Sequence, residues 1–287
     1  MNKIKTGYLY GSILLGAIIL FLFFLFPGER VNQHVIQGIH GVLPDCDVVI
    51  TGSAPALPMG LKLSGVSISR LDDEVFSAEK VKLGIPVLSL FSQNRRFSVK
   101  AKTYGGELKG VVTLIQNEST QEIQSVSSAF ELTGIRIEEI PALDQLVSGG
   151  ITGLLGGTVD IDSARPADQA LINLHGTDVS FDLATSMINL GNMDFSDMVM
   201  DGVFTRNELT INGFDAKGSH ADCRLSGKIH FSGPVEESTL HLSGVIHPHP
   251  EFLKKLQVGA FPIKPAGTGG LPFEISGTIE NPVFLFR

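Results

Sequence analysis

Apolar and polar residues alternate one by one along most of this chain, a period that suits a β-strand with one buried and one wet face. Leu225, Gly227, Ile229 and Phe231 alternate with Arg224, Ser226, Lys228 and His230. Phe273, Ile275, Gly277 and Ile279 alternate with Glu274, Ser276, Thr278 and Glu280, and Val179, Phe181 and Leu183 with Ser180 and Asp182. About fourteen such strands are predicted. Gly105-Gly106 and Arg206-Asn207 are the expected hairpin turns. An aliphatic-x-Gly fragment recurs within the strand pattern, as at Leu63-Ser-Gly65, Leu132-Thr-Gly134, Leu225-Ser-Gly227 and Leu242-Ser-Gly244. The apolar phase slips at Gly65 and Gly134, which predicts bulges there. At the in-phase glycines the missing side chains leave room above the sheet and let it curl.

So many one-sided strands need cover. Helical patterning is confined to Val31–Leu43 and to short stretches near Pro86–Gln93, Glu138–Val147 and Glu251–Gln257. These are too small to cover the apolar face. Either two sheets pack as a sandwich, or one curved, mainly antiparallel sheet forms a groove that a lipid or partner fills. In a groove, Leu225, Gly227, Ile229, Phe231, Leu242, Gly244, Phe273, Ile275 and Gly277 are the expected lining. The 18 phenylalanines supply apolar wall without polar atoms that need partners.

No residue from Thr6 to Gly28 is charged, and Tyr8–Phe26 is almost wholly apolar. Nineteen helical residues span roughly 28 Å, close to the hydrocarbon thickness of a bilayer. Lys3 and Lys5 precede the run, while Glu29 and Arg30 nearly cancel after it. The positive-inside bias therefore predicts a cytoplasmic N-terminus and an exported remainder. The run ends Phe24-Leu25-Phe26-Pro27-Gly28 without a small-residue cleavage pattern, which reads as an uncleaved signal anchor rather than a removed signal peptide. The predicted organisation is a cytoplasmic stub and transmembrane anchor at 1–28, an amphipathic helix at 29–44, and a periplasmic β-rich domain at 45–287.

Beyond the anchor, 20 bases face 30 acids, a balance that disfavours nucleic acid. There is no tryptophan and only three tyrosines, too few for a carbohydrate-stacking platform. Cys46 and Cys223 could pair in an oxidising compartment, or simply be two small apolar residues in separate strands. The glycine-dense Gly149–Gly157 lacks the Lys-Ser/Thr of a phosphate loop and reads as a turn between strands. His230 and His241 fall on polar strand positions, and no carboxylate or cysteine spacing joins them and His247-Pro248-His249 into a zinc set. Asp194, Asp197 and Asp201 miss calcium-loop spacing. No nucleophile elbow or paired-carboxylate pattern stands out. The reading is binding rather than catalysis, with no cofactor and no metal.

The order of features carries a resemblance. After the anchor and short helix come Gly60-Leu-Lys-Leu-Ser-Gly-Val-Ser-Ile68, Ile85-Pro-Val-Leu-Ser-Leu-Phe91 and Tyr104-Gly-Gly-Glu-Leu-Lys-Gly110. Gly134-Ile-Arg-Ile-Glu-Glu-Ile-Pro141 and a closing Ile275-Ser-Gly-Thr-Ile-Glu-Asn-Pro-Val-Phe284 follow. Over nearly its full length the chain resembles the N component of type II secretion systems, general secretion pathway protein N. Its ending is similar to that of AsmA-like envelope proteins. The first resemblance implies an accessory inner-membrane component that binds other secretion subunits of the inner membrane and periplasm. The second implies lipid bound or moved in a β-groove. Neither supplies catalytic residues.

The anchor generates the first test. A periplasm-active reporter fused after Arg287 should work and a cytoplasm-only reporter should not. Peptides from Met1–Phe26 should be recovered by mass spectrometry of the native protein, and their loss to signal peptidase refutes the anchor.

Overall fold

The computed structural model describes residues 26–40, 46–57, 59–70, 73–84, 95–116, 123–144, 150–162, 169–184, 189–205, 207–232, 235–250 and 270–286. The apolar run up to Leu25 lies outside these, as do Arg206 of the second expected turn and the predicted helices at Pro86–Gln93 and Glu251–Gln257. Among the described residues no helix is long and apolar enough to cross a membrane.

In the described residues fourteen strands form one sheet whose spatial order is the chain order. They are β1 (Asp47–Ala56), β2 (Gly60–Arg70), β3 (Asp73–Gly84), β4 (Arg95–Thr103), β5 (Gly106–Gln116), β6 (Ile123–Arg136) and β7 (Ile151–Asp162). There follow β8 (Gln169–Ala184), β9 (Asn189–Thr205), β10 (Glu208–Gly218), β11 (Ala221–His230), β12 (Thr239–Pro248), β13 (Leu271–Gly277) and β14 (Pro282–Phe286). Every neighbouring pair is antiparallel. The sandwich alternative therefore falls: the strands form a single curved sheet rather than two facing ones, because each ladder joins chain neighbours and none crosses over.

Two apolar clusters hold the sheet. In the first, α1 (Gly28–His40) lays Val35, Ile36 and Ile39 over Val48, Ile50, Leu63, Val66, Ala78, Val81 and Ala101. These are the helical-period residues of the expected amphipathic helix, with Glu29 in its first turn and His40 in its last, each suited to the helix dipole. The second cluster gathers Val179, Met193, Phe195, Ala216 and Ala221 under Ile137 and Leu143. Within it the rings of Phe181 and Phe195 stack with centroids 5.6 Å apart. Both clusters draw on consecutive strands.

Three local expectations shift. The β4–β5 turn is Tyr104-Gly105, not Gly105-Gly106: Thr103 pairs with Gly106, and both turn residues have positive φ, +47° and +69°. Tyr104 tolerates this conformation while its hydroxyl accepts the Ser77 amide at 2.9 Å and its ring meets Phe76 edge-on. The helix expected at Glu138–Val147 is split into a 3-10 turn, Ile137–Glu139, and a single α turn, α2 (Pro141–Asp144). Pro141 explains the break, because a residue preceding proline is forced out of the helical region, and Ile140 sits extended at φ −89°, ψ 106°. Gly134 marks a register shift against β7, as expected, but Gly65 does not shift its ladders; it turns the strand's facing through a left-handed φ of +56°.

Strand phase can be read by stability. Leu63 is 3% exposed under α1, whereas neighbouring Lys62 points to the other face. Leu63→Ala should cost about 2–5 kcal/mol and Lys62→Ala about 0.5 or less in denaturant unfolding, and equal costs refute the facing.

Candidate functional site

Residues directly opposed in a ladder lie on the same face, so the registers assemble the site strand by strand. One row runs Leu63, Val81, Ala101, Leu108, Leu132, Gly157, Leu174, Met200, Phe214, Leu225, Gly244, Phe273, Phe286 from β2 to β14. The next runs Leu61, Leu83, Val99, Gly110, Phe130, Val159, Ile172, Gly202, Ile211, Gly227, Leu242, Ile275, Phe284. A third, shorter row includes Ile161, Ala170, Phe204, Leu209, Ile229 and Leu240. The first two rows contain no charged or hydrogen-bonding side chain. Neighbouring strands lie about 4.8 Å apart, so this apolar band extends roughly 58 Å around the curved sheet.

The nine expected lining residues gather on this band. Leu225, Gly244 and Phe273 are directly opposed, as are Gly227, Leu242 and Ile275. Ile229 faces Leu240, Gly277 faces Pro282 at the far end of the last hairpin, and Phe231 packs its ring 5.8 Å from Phe204. Of the nine only Phe273, 4% exposed, is buried; Gly277 is exposed and the other seven are half-buried. A sealed second layer would bury such residues. The central band on β6–β12 instead stays half-open, most plainly at Leu132, Val159, Ile172, Leu174 and Met200. Alternation marked the expected lining on β11 and β13, but its union with these central residues depends on registers that a single strand does not encode.

The in-phase glycines differ from expectation. They do not leave free volume over the sheet. A Cβ on Gly244 would lie 2.8 Å from the Phe273 ring, and one on Gly227 would run into the His241 carbonyl. Gly227 also has a φ of +144°, a region that side chains rarely adopt. These positions let neighbouring strands and rings approach closely, and the open volume lies above the half-buried aliphatic residues.

The reverse face carries the charged side chains, interspersed with exposed valines such as Val111 and Val199. Arg224 pairs with Asp215 at 2.6 Å and Lys228 with Glu208 at 2.8 Å, and the Lys228 contact holds the Glu208 carboxyl below its usual range. Cys223, packed against the second apolar cluster, is a free thiol pushed up to about 11 by burial and, secondarily, by the Asp215 charge. Cys46, also free, precedes β1, ten strands away, so the two do not pair. His249 is 3.7 Å from Asp222, His230 and His241 sit at separate register positions, and no group of three metal-ligating side chains comes together among the described residues. Asp194 and Asp201 lie at different levels of β9, opposite Ser180 and Asn173.

The glycine finding is testable. Gly227→Ala should cost about 1–3 kcal/mol in backbone strain alone, whereas exposed Ser226→Ala should fall within about 0.5 kcal/mol in urea unfolding. A Gly227→Ala variant as stable as the parent contradicts the close approach. The chain matches no protein-family model, no curated protein and no solved structure.

Proposed function

We propose that this protein is a membrane-anchored envelope component whose curved sheet holds a lipid acyl chain along its apolar face. The observation that carries the reading is the apolar band spanning β2 to β14, half-open over its central strands β6–β12, with two whole rows free of polar side chains. A contiguous apolar surface of this length is not left to water in a monomeric soluble domain. Hydrocarbon fits it because hydrocarbon asks for no hydrogen bonds, and the band offers none. The apolar run at Tyr8–Phe26 supports a place at the inner membrane, N-terminus inside and sheet in the periplasm, where lipid is at hand. The similarity of the chain's ending to AsmA-like proteins agrees with this role.

A second reading follows the resemblance to the secretion N component, in which the protein is an accessory subunit that works by binding others. The observation favouring it is β14. Val283, Phe284, Leu285 and Phe286 are 56%, 41%, 54% and 46% exposed, and apolar residues occupy both faces of this edge strand. Strands apolar on both faces are normally central, so β14 has the character of a strand awaiting a neighbour.

A phospholipid carrying a photoreactive group in its acyl chain separates these readings. With the full chain in membranes, crosslinks should map to peptides of the band, at Leu174, Leu242 and Ile275, and spare Asn173, Ser243 and Glu274 on the reverse face. Crosslinks confined to the Tyr8–Phe26 run refute the acyl-chain reading. If β14 instead carries the function, Val283→Lys with Leu285→Lys, which lie on the reverse face opposite Ser276 and Glu274, should abolish secretion while leaving both the melting temperature and the band crosslinks unchanged.

A further inference from the structure

The net charge of −8 hides a strongly divided sheet. Strands β2–β5 carry nine lysines and arginines against four acids, whereas β6–β9 carry one base, Arg136, against eight acids. On the polar face the basic half is ordered into rows. Lys62, Lys82, Lys100 and Lys109 are directly opposed across four consecutive strands, and Lys80 faces Lys102 in the next row. Lys80, Lys82, Lys100 and Lys102 line a shallow basin of about 450 Å³ together with Glu107 and the glycines of the β4–β5 hairpin.

Like charges placed directly opposite destabilise a sheet. The acids nearby relieve only part of this repulsion. Glu107 receives Lys100 at 2.6 Å and Lys109 at 2.7 Å, and Glu79 receives Lys102 at 3.0 Å. With Glu131, which faces Lys109, three carboxylates answer six lysines. Lys62, Lys80 and Lys82 have no ion-pair partner among the described residues. The patch therefore keeps a net charge of about +3 and exposed ammonium groups without counter-ions from the protein.

Position indicates what anion they meet. The Gly28 carbonyl, two residues beyond the apolar run, accepts the Ser53 hydroxyl at 2.9 Å. Ser53 is followed by Ala54, the β1 member of the lysine row, which continues through Lys62, Lys82, Lys100 and Lys109. At the usual strand spacing those lysines stand about 5–20 Å along the sheet from the β1 level at which the run ends, on the reverse face. We infer that this lysine patch rests on the anionic phospholipid headgroups of the membrane that the run enters. The inference depends on reading Tyr8–Phe26 as an anchor. Ammonium groups within a Debye length of an anionic bilayer are drawn to it, and headgroup phosphates supply the missing counter-charge. The patch would tilt the sheet onto the bilayer at β2–β5 and leave the acidic half standing away from it.

The test uses the full chain in lipid nanodiscs, with lysine acetylation rates read residue by residue by mass spectrometry. In discs containing phosphatidylglycerol, Lys80, Lys82, Lys100 and Lys102 should label several-fold more slowly than in pure phosphatidylcholine. High salt should erase the difference, and Lys217 and Lys228 should label alike in both. Equal rates in the two discs overturn the inference, and are also what an acidic protein as the true occupant would give. An alkaline carbonate wash reports the anchor separately. A chain retained in both discs with equal lysine rates keeps the anchor and loses the patch. A chain washed from both that still shows slowed labelling with phosphatidylglycerol keeps the patch and loses the anchor.

Discussion

The backbone ladders that tie each strand to the next are the interaction on which everything else in this structure rests. Fourteen strands share them without a crossover, so the phase of any one strand fixes the facing of its neighbours. A slip of one residue would carry an apolar row to the wet face. The sequence guards against slippage by alternation and by buried side chains such as Leu63, Ile211 and Phe273. Where phase changes, it does so locally, as at Gly65 through backbone conformation and at Gly134 and between Ile211 and Phe214 through an extra residue. The long apolar rows are a product of this accumulated register rather than of any one motif.

Among the described residues, helices contribute little cover. Helix α1 seals the first strands, and Ile137 and Leu143 cap the second cluster, which leaves the central band only half-buried. Backbone hydrogen bonding satisfies the twelve inner strands but does nothing for the aliphatic surface they present. That mismatch between complete inner ladders and incomplete burial is what gives the apolar face its functional interest.

Much of this was legible residue by residue. Strand number, the facing of Leu225 to Ile229, the amphipathic α1 and the bulge at Gly134 follow from period and phase, which are local properties. The break at Ile140 was available too, since Pro141 stands inside the expected helix. The turn at Tyr104-Gly105 was harder, because a tyrosine with positive φ is held there by contacts to Ser77 and Phe76 from another hairpin. Choosing one sheet over two was beyond local pattern, since alternation names a buried face without naming its cover. The glycines misled for a related reason. An absent side chain looks like space until the neighbouring strand, here His241 or Phe273, is in place. The lysine patch was diluted by a global charge count, and only registers bring Lys62, Lys82, Lys100 and Lys109 side by side.

The strictly sequential strand order makes this sheet a one-dimensional object. Each newly added strand needs only its predecessor, so short loops close before longer ones and the entropic cost of assembly is taken in small steps. A chain threaded outward from its N-terminus can zip up in the order in which it emerges, with β1 and α1 in place before β14 exists. The same order makes width an independently adjustable property. Duplicating or removing one hairpin would change the span by about 10 Å while leaving every other ladder intact, much as repeats are gained and lost in solenoids.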